Sequence, residues 1–192
     1  MKTISKNETN EIIIKNSRFI CYLIKLNSDS NINCLLESIK KDYPKANHYC
    51  YGYIKNCEEY SSDDKEPTGT AGPPILNVLK KENLNNILCV VIRYFGGIKL
   101  GAGGLVRAYT KSVTECLKNV EFKELENGYK INLEFPYTQE KQITYLLNNS
   151  IITNKEFKET ITYTCLVNEE VLEKLKNYNI EILEKIIIEK DH

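Results

Sequence analysis

Ile87-Leu88-Cys89-Val90-Val91-Ile92-Arg93-Tyr94-Phe95-Gly96-Gly97-Ile98-Lys99-Leu100-Gly101-Ala102-Gly103-Gly104 joins an apolar run to a cluster of glycines. Its first six residues are apolar at every position, the pattern of a strand covered on both faces in the middle of a sheet with helices against it. Gly96 to Gly104 then hold five of the chain's nine glycines. Glycine tolerates positive φ and lets a ligand approach the bare backbone, so such a cluster at a strand exit offers N–H groups to an anion. A tight turn with close packing is the competing reading for any one of them. Beyond the glycines, Leu105, Tyr109, Val113, Cys116 and Leu117 make one helical stripe, with Arg107, Lys111 and Lys118 off it.

Outward toward the N-terminus, Ile12-Ile13-Ile14 and Phe19 to Leu26 read as extended runs with a hairpin turn at Asn16-Ser17-Arg18. Ile32, Leu35, Leu36, Ile39 and Tyr43 stand at helical spacing, and Pro44 stops the helix. Tyr49 to Lys55 follows as a strand whose tyrosines at 49, 51 and 53 share one face. Cys57 to Gly72 is polar and turn-rich, and Pro73-Pro74 then opens a helix with Ile75, Leu76, Val78 and Leu79 on its apolar side.

Outward toward the C-terminus the character changes after Glu126-Asn127-Gly128, which places one domain over 1–127 and a second over 128–192. The second reads as strand Tyr129 to Phe135, helix Tyr137 to Leu147, strands Ile151 to Phe157 and Thr160 to Val167, helix Glu169 to Lys176, and strand Ile180 to Ile188. That order is β-α-β-β-α-β, the ferredoxin-like plan, with Asn168 as an N-cap. The fold class is therefore α+β with two domains.

The 26 Lys+Arg balance the 26 Asp+Glu, so the chain has no net field and is not a basic nucleic-acid coater; any such binding must come from a local patch. Seven cysteines without a C-x-x-C pair argue against a disulfide framework or a zinc finger, and a reducing cytoplasm fits them best. The first thirty residues resemble neither a signal nor a transit peptide, and no apolar run approaches the roughly 20 residues that span a bilayer.

Only three of the 26 basic residues are arginines, Arg18, Arg93 and Arg107. In a chain that otherwise uses lysine, each points to a use of the planar, five-donor fork. Arg93 ends the buried strand, Arg107 lies early in the following helix, and Lys99 stands between them, so one anion meeting all three is one reading. The other is an internal ion pair of Arg93 with Asp63, Asp64 or Glu66. The acidic run Ser61-Ser62-Asp63-Asp64-Lys65-Glu66-Pro67-Thr68-Gly69-Thr70-Ala71-Gly72 could position a water or a metal, although Asp-Asp-x-Glu is also common in solvated turns. His48, one of two histidines with His192, is either a general base or a structural hydrogen-bonder.

Ser17-Arg18-Phe19, Ala46-Asn47-His48-Tyr49-Cys50, Asp63 to Gly72, and Val90 to Tyr109 together resemble the YigZ/IMPACT family in order and spacing, over roughly Ile12 to Leu117. The remainder resembles the small C-terminal domain of bacterial YigZ proteins. Lys65 departs from the pattern, where the family usually has glycine, and lysine disfavours positive φ. Asn47 departs where threonine commonly precedes the histidine. The resemblance implies an N-terminal fold like the second domain of a small-subunit ribosomal protein and domain IV of elongation factor G, beside the ferredoxin-like C-terminal domain. In eukaryotes the family's IMPACT members regulate translation initiation.

Three readings of function follow. The leading one is a cytoplasmic, non-enzymatic regulator of translation that associates with RNA or the ribosome. In it Arg93, Lys99, Arg107, Lys111 and the backbone of Gly101, Gly103 and Gly104 receive phosphates, with Tyr94 and Phe95 as stacking groups. The second is an enzyme on a phosphorylated or nucleotide substrate, with His48, Asp64 and Glu66 as catalytic candidates. The third is a module that binds a protein partner. No cofactor, no metal, no membrane association and no sequence-specific DNA binding are expected.

Overall fold

The computed structural model describes residues 1–148 and 150–190, and the chain divides into two compact units, Met1–Lys123 and Glu124–His192. It is α+β, with five α-helices and two antiparallel sheets among the described residues. None of these helices is long and apolar enough to cross a membrane.

The first unit begins with β1 (Lys2–Ile4) and is built on a sheet of β2 (Glu8–Ile14), β3 (Ser17–Lys25), β6 (Ile87–Tyr94), β4 (His48–Lys55) and β5 (Glu58–Ser62), in that spatial order. The all-apolar strand is the central one, and every residue from Ile87 to Ile92 is 0% exposed. Its side chains alternate between two cores, as strand geometry requires. Ile87, Cys89 and Val91 join Phe19, Cys21 and Leu23 of β3 beneath α2 (Gly72–Lys81) and α3 (Ala102–Leu117). Leu88, Val90 and Ile92 join Ile20 and Ile24 beneath α1 (Ile32–Asp42). The tyrosines at 49, 51 and 53 lie on the α1 side. There Tyr49 Oη donates to the Tyr43 carbonyl at 2.6 Å and Tyr22 shares a hydrogen bond with Tyr43, tying the helix end to the sheet.

Local chemistry sets the ends. Asn31 caps α1 by accepting from the Cys34 N–H, and Lys40 and Lys41 occupy its last turn, where the helix dipole favours cations. Two prolines occupy the first turn of α2, where a missing N–H costs nothing. The first hairpin turns at Lys15-Asn16, both at positive φ (45° and 62°), so Ser17 and Arg18 belong to β3 rather than to the turn. The polar stretch after Cys57 contains β5, which the sequence reading did not anticipate. This edge strand carries Glu58, Glu59, Ser61 and Ser62 with no apolar alternation; it follows the two-residue turn Asn56-Cys57 (φ 47° and 66°), its Tyr60 ring lies 6.0 Å and 5.9 Å from those of Tyr51 and Tyr53, and Glu59 pairs with Lys80.

The second unit follows the order β7 (Phe122–Phe135), α4 (Glu140–Leu146), β8 (Ile151–Phe157), β9 (Ile161–Asn168), α5 (Glu169–Leu175) and β10 (Asn179–Glu189). The division between the units falls inside β7, and so do Glu126-Asn127-Gly128. β10, β7, β9 and β8 are adjacent in that order, with every pair antiparallel. One sheet face, with Ile131, Leu133, Phe135, Tyr163 and Cys165, packs on Ile143, Leu147, Val171 and Leu175 from the helical segments. Asn168 accepts from the Val171 N–H and starts α5. Tyr137–Gln139, read as the start of a helix, is a 3-10 turn before α4.

Candidate functional site

The acidic loop is organised by its own backbone. One Asp63 oxygen accepts the N–H groups of Ala71 and Gly72 at 2.9 Å each, and the other accepts from Gly69 at 2.8 Å, so the carboxylate clamps the loop onto the start of α2. Burial would raise its pKa, but these three donors outweigh it and hold the carboxyl below the usual aspartate range. Asp64 Oδ2 accepts from the Tyr49 N–H at 2.7 Å, and the Asp64 carbonyl lies 2.9 Å from His48 Nδ1. With both aspartates committed to backbone, the loop turns through Asp64 and Lys65 at φ 37° and 68° and drives Glu66 inward.

Glu66 is buried, and three elements meet on its Oε1. Arg93 Nη1, from the end of β6, donates at 2.5 Å; Tyr109 Oη, from α3, donates at 2.9 Å; and His48 Nε2, from β4, stands at 3.8 Å. Arg93 is itself only 5% exposed, and its guanidinium carbon sits 5.5 Å and 5.6 Å from the ring centres of Phe19 and Phe95. Removing one partner of so buried a pair leaves an uncompensated charge, a loss of about 3–5 kcal/mol. Burial raises the pKa of the Tyr109 hydroxyl, and the neighbouring Cys50 and Glu66 add to the shift. Burial likewise pushes the Cys50 thiol up to about 12, so this cysteine is a neutral hydrogen-bonder to Tyr109 and the Asp63 carbonyl, not a thiolate nucleophile.

The glycine loop opposite is also anchored. A Cβ on Gly96 would lie 2.0 Å from the Asn16 carbonyl carbon, so the loop approaches the first hairpin as only glycine allows, and the Gly96 N–H donates to Ser17 Oγ at 3.1 Å. Asn47 Oδ1 accepts from the Phe95 N–H at 2.8 Å while the Asn47 N–H donates to the Arg93 carbonyl. Gly101, at φ 70°, is the N-cap of α3 and supplies no side-chain acceptor. The first amides of a helix have no intrahelical acceptor, so they and the positive end of the α3 dipole face outward from this point.

Between the two loops lies a cavity of about 380 Å³, lined by residues that include His48, Glu66, Arg93, Phe95, Lys99 and Gly101. Arg93 Nε is buried without a hydrogen-bond partner. The lining thus combines two cations, the start of α3, a carboxylate, an imidazole and an aromatic ring.

His48, Glu66, Arg93, Lys99 and Gly101, distant in sequence, line this one cavity. Asp64 acts through backbone contacts beside it. Gly103 and Gly104 belong to the first turn of α3, and Arg107 and Lys111 are exposed on α3 and are not among the residues that line the cavity, with Arg107 Nη1 beside Gly103. Of the two readings of Arg93, the ion pair with Glu66 is formed, yet one donor remains unused. Among the described residues no group of three or more His, Cys, Asp or Glu side chains could hold a metal ion. Sequence reasoning passed over the Tyr109 hydroxyl and the Asn47 amide. Tyr109 counted only as part of an apolar stripe, although a buried tyrosine needs a partner for its hydroxyl, and that need is a usable signal.

The Impact N-terminal domain matches residues 15–117, which include every residue of the cavity. The IMPACT family member YvyE of Bacillus subtilis is 36% identical over 94% of this chain and 85% of its own length. The IMPACT family member YigZ of Escherichia coli is 36% identical over 70% of this chain and 68% of its own length. A solved structure described as that of a hypothetical protein superposes with a TM-score of 0.74 at 28% identity, covering 95% of this chain and 97% of the other. The matched span takes in both the acidic loop and the glycine loop, and the chain belongs to the IMPACT family.

Proposed function

We propose that this protein is a cytoplasmic, non-enzymatic regulator linked to translation, and that it engages RNA or the ribosome through the cavity between its acidic and glycine loops. The observation that carries the reading is the wall formed by Lys99 and the uncapped N-terminus of α3 beside the exposed ring of Phe95. A cation with free backbone amides receives a phosphate, and an aromatic ring at the mouth stacks a base. Arg107 and Lys111, exposed on α3, extend the cationic track outside the cavity. Family membership supports the same direction, since the family resemblance implies regulation of translation initiation for the eukaryotic members. We read the second unit as ferredoxin-like from its β-α-β-β-α-β order and its β10-β7-β9-β8 adjacency. We read the first as akin to the second domain of a small-subunit ribosomal protein and to domain IV of elongation factor G. Those kinships are analogies of fold, and the site carries the functional weight.

The test is equilibrium binding of the full chain to short single-stranded RNA and to ribosomal subunits at low and physiological salt, with Lys99→Ala and Arg107→Ala alongside. Saturable binding that weakens with salt and falls at least several-fold in Lys99→Ala is expected. Binding to neither RNA nor subunits would overturn the reading and leave a protein partner as the occupant of this family's surface.

A further inference from the structure

We infer that β5 is an interaction surface for a second copy of this chain, and that two molecules join there edge to edge, antiparallel, about a two-fold axis at Tyr60. The inference goes beyond the anion site proposed above, since no residue of β5 lines that cavity.

The register of the hairpin decides which groups are free to pair. The turn at Asn56-Cys57 has two residues, both at positive φ, and the strands it joins set Lys55 opposite Glu58, Tyr53 opposite Tyr60 and Tyr51 opposite Ser62. The pair that closes such a turn is hydrogen-bonded, and bonded pairs alternate with unbonded ones along an antiparallel ladder. Glu58, Tyr60 and Ser62 therefore bond inward to β4, while the main-chain N–H and C=O groups of Glu59 and Ser61 point outward. β5 ends its sheet, with no strand on its outer side among the described residues.

A row of outward main-chain groups is a template for another strand. Shortness and charge are the usual defences, and β5 has five residues with two glutamates. Yet Glu59 is answered by Lys80 at 2.8 Å, and the middle of the strand is Tyr60, 52% exposed and packed beside Tyr51 and Tyr53. A second β5 laid antiparallel with Tyr60 opposite Tyr60 is self-complementary. Glu59 of each copy then faces Ser61 of the other, and these two pairs exchange four main-chain hydrogen bonds. Glu58 faces Ser62, so no like charges are opposed. The two Tyr60 residues form the unbonded pair, whose Cα atoms lie about 4.5 Å apart with the side chains close, and the two groups of three tyrosines merge on one face. The neighbouring symmetric registers lack this fit. An axis at Glu59 sets Glu59 against itself, and an axis at Ser61 sets Glu59 against Asp63 and Glu58 against Asp64.

The experiment is sedimentation equilibrium of the full chain from about 1 μM to about 1 mM, because one short strand makes a small interface of the weak class. Monomer giving way to dimer over that range is expected. Ser61→Pro removes an N–H that β4 does not use, and with it two of the four bonds between copies, so it should weaken the dimer about tenfold or more. Within the chain Ser61 has only Gly52 opposite it, whereas across the axis it has Glu59 of the second copy, so a charge at this position reads the register. Ser61→Lys should tighten the dimer several-fold, and Ser61→Glu should loosen it by a similar factor. Wild-type protein that stays monomeric throughout overturns the inference. A dimer that all three variants leave equally strong forms elsewhere on the molecule and overturns it too. The wild-type measurement needs no variant to fold, and the lysine and glutamate substitutions keep the register test if Ser61→Pro does not fold.

Discussion

Lys65 adopts φ 68° in the acidic loop, next to Asp64 at 37°, and its side chain is exposed. A left-handed conformation costs a residue with a Cβ about 1–2 kcal/mol, whereas glycine takes it at no steric cost. The strain is sustained because Asp63 and Asp64 fix the backbone on either side with four hydrogen bonds to main-chain N–H groups. Lys65→Gly therefore removes strain and loses no buried contact. The greater freedom of glycine in the unfolded chain offsets part of that gain. The net expectation is a stabilisation of about 0.5–1 kcal/mol, read as a higher denaturant midpoint at unchanged slope. A lower midpoint would mean that the lysine side chain holds the loop in some way its exposure conceals. The same residue marks what sequence can and cannot give at this scale. The departure from a glycine pattern was visible, but whether the turn would change shape or the lysine would bear the strain depended on the hydrogen bonds of its neighbours.

Among the elements, the glycine loop separates residues of one type by role. Gly96 is fixed by close approach, since its Cβ would meet the Asn16 backbone at 2.0 Å, while Gly103 sits inside α3 with only the tip of the Arg107 side chain at 3.5 Å. Gly96→Ala must push the loop off the first hairpin, for a loss of about 3 kcal/mol or more by the scale of overpacked sites. Gly103→Ala gains up to about 1 kcal/mol of helix propensity. Thermal or urea unfolding of the two variants should move in opposite directions; a shift of the same sign in both would contradict this division. The five glycines in nine residues signalled a special junction, but their separate tasks were not legible because a close approach involves a segment some eighty residues away. β6 was legible because an unbroken apolar run has few solutions other than a doubly covered strand. β5 was hidden because an exposed edge strand buries too little to leave a pattern. The cavity was half legible: the two loops could be expected to oppose each other, while the choice of Glu66 as the partner of Arg93 followed from the turn through Asp64 and Lys65.

At the scale of the whole molecule, 26 basic residues balance 26 acidic ones, and most of the basic ones are lysines dispersed among carboxylates. Several are spent in surface pairs, such as Lys80 with Glu59 and Lys118 with Glu115. No general field draws a polyanion, so the RNA affinity proposed above would rest on the few cations at the site, Lys99 with Arg107 and Lys111 beyond it. Each phosphate neutralised on a single strand contributes about −0.7 to the slope of log K against log salt. Two to three contacts give a slope of about −1.4 to −2.1. A slope near −4 or steeper requires about six phosphates, a broad basic track this chain does not carry, and would move the binding surface away from the cavity. Arg107→Ala is expected to lessen the slope by about 0.7, one phosphate contact on a single strand.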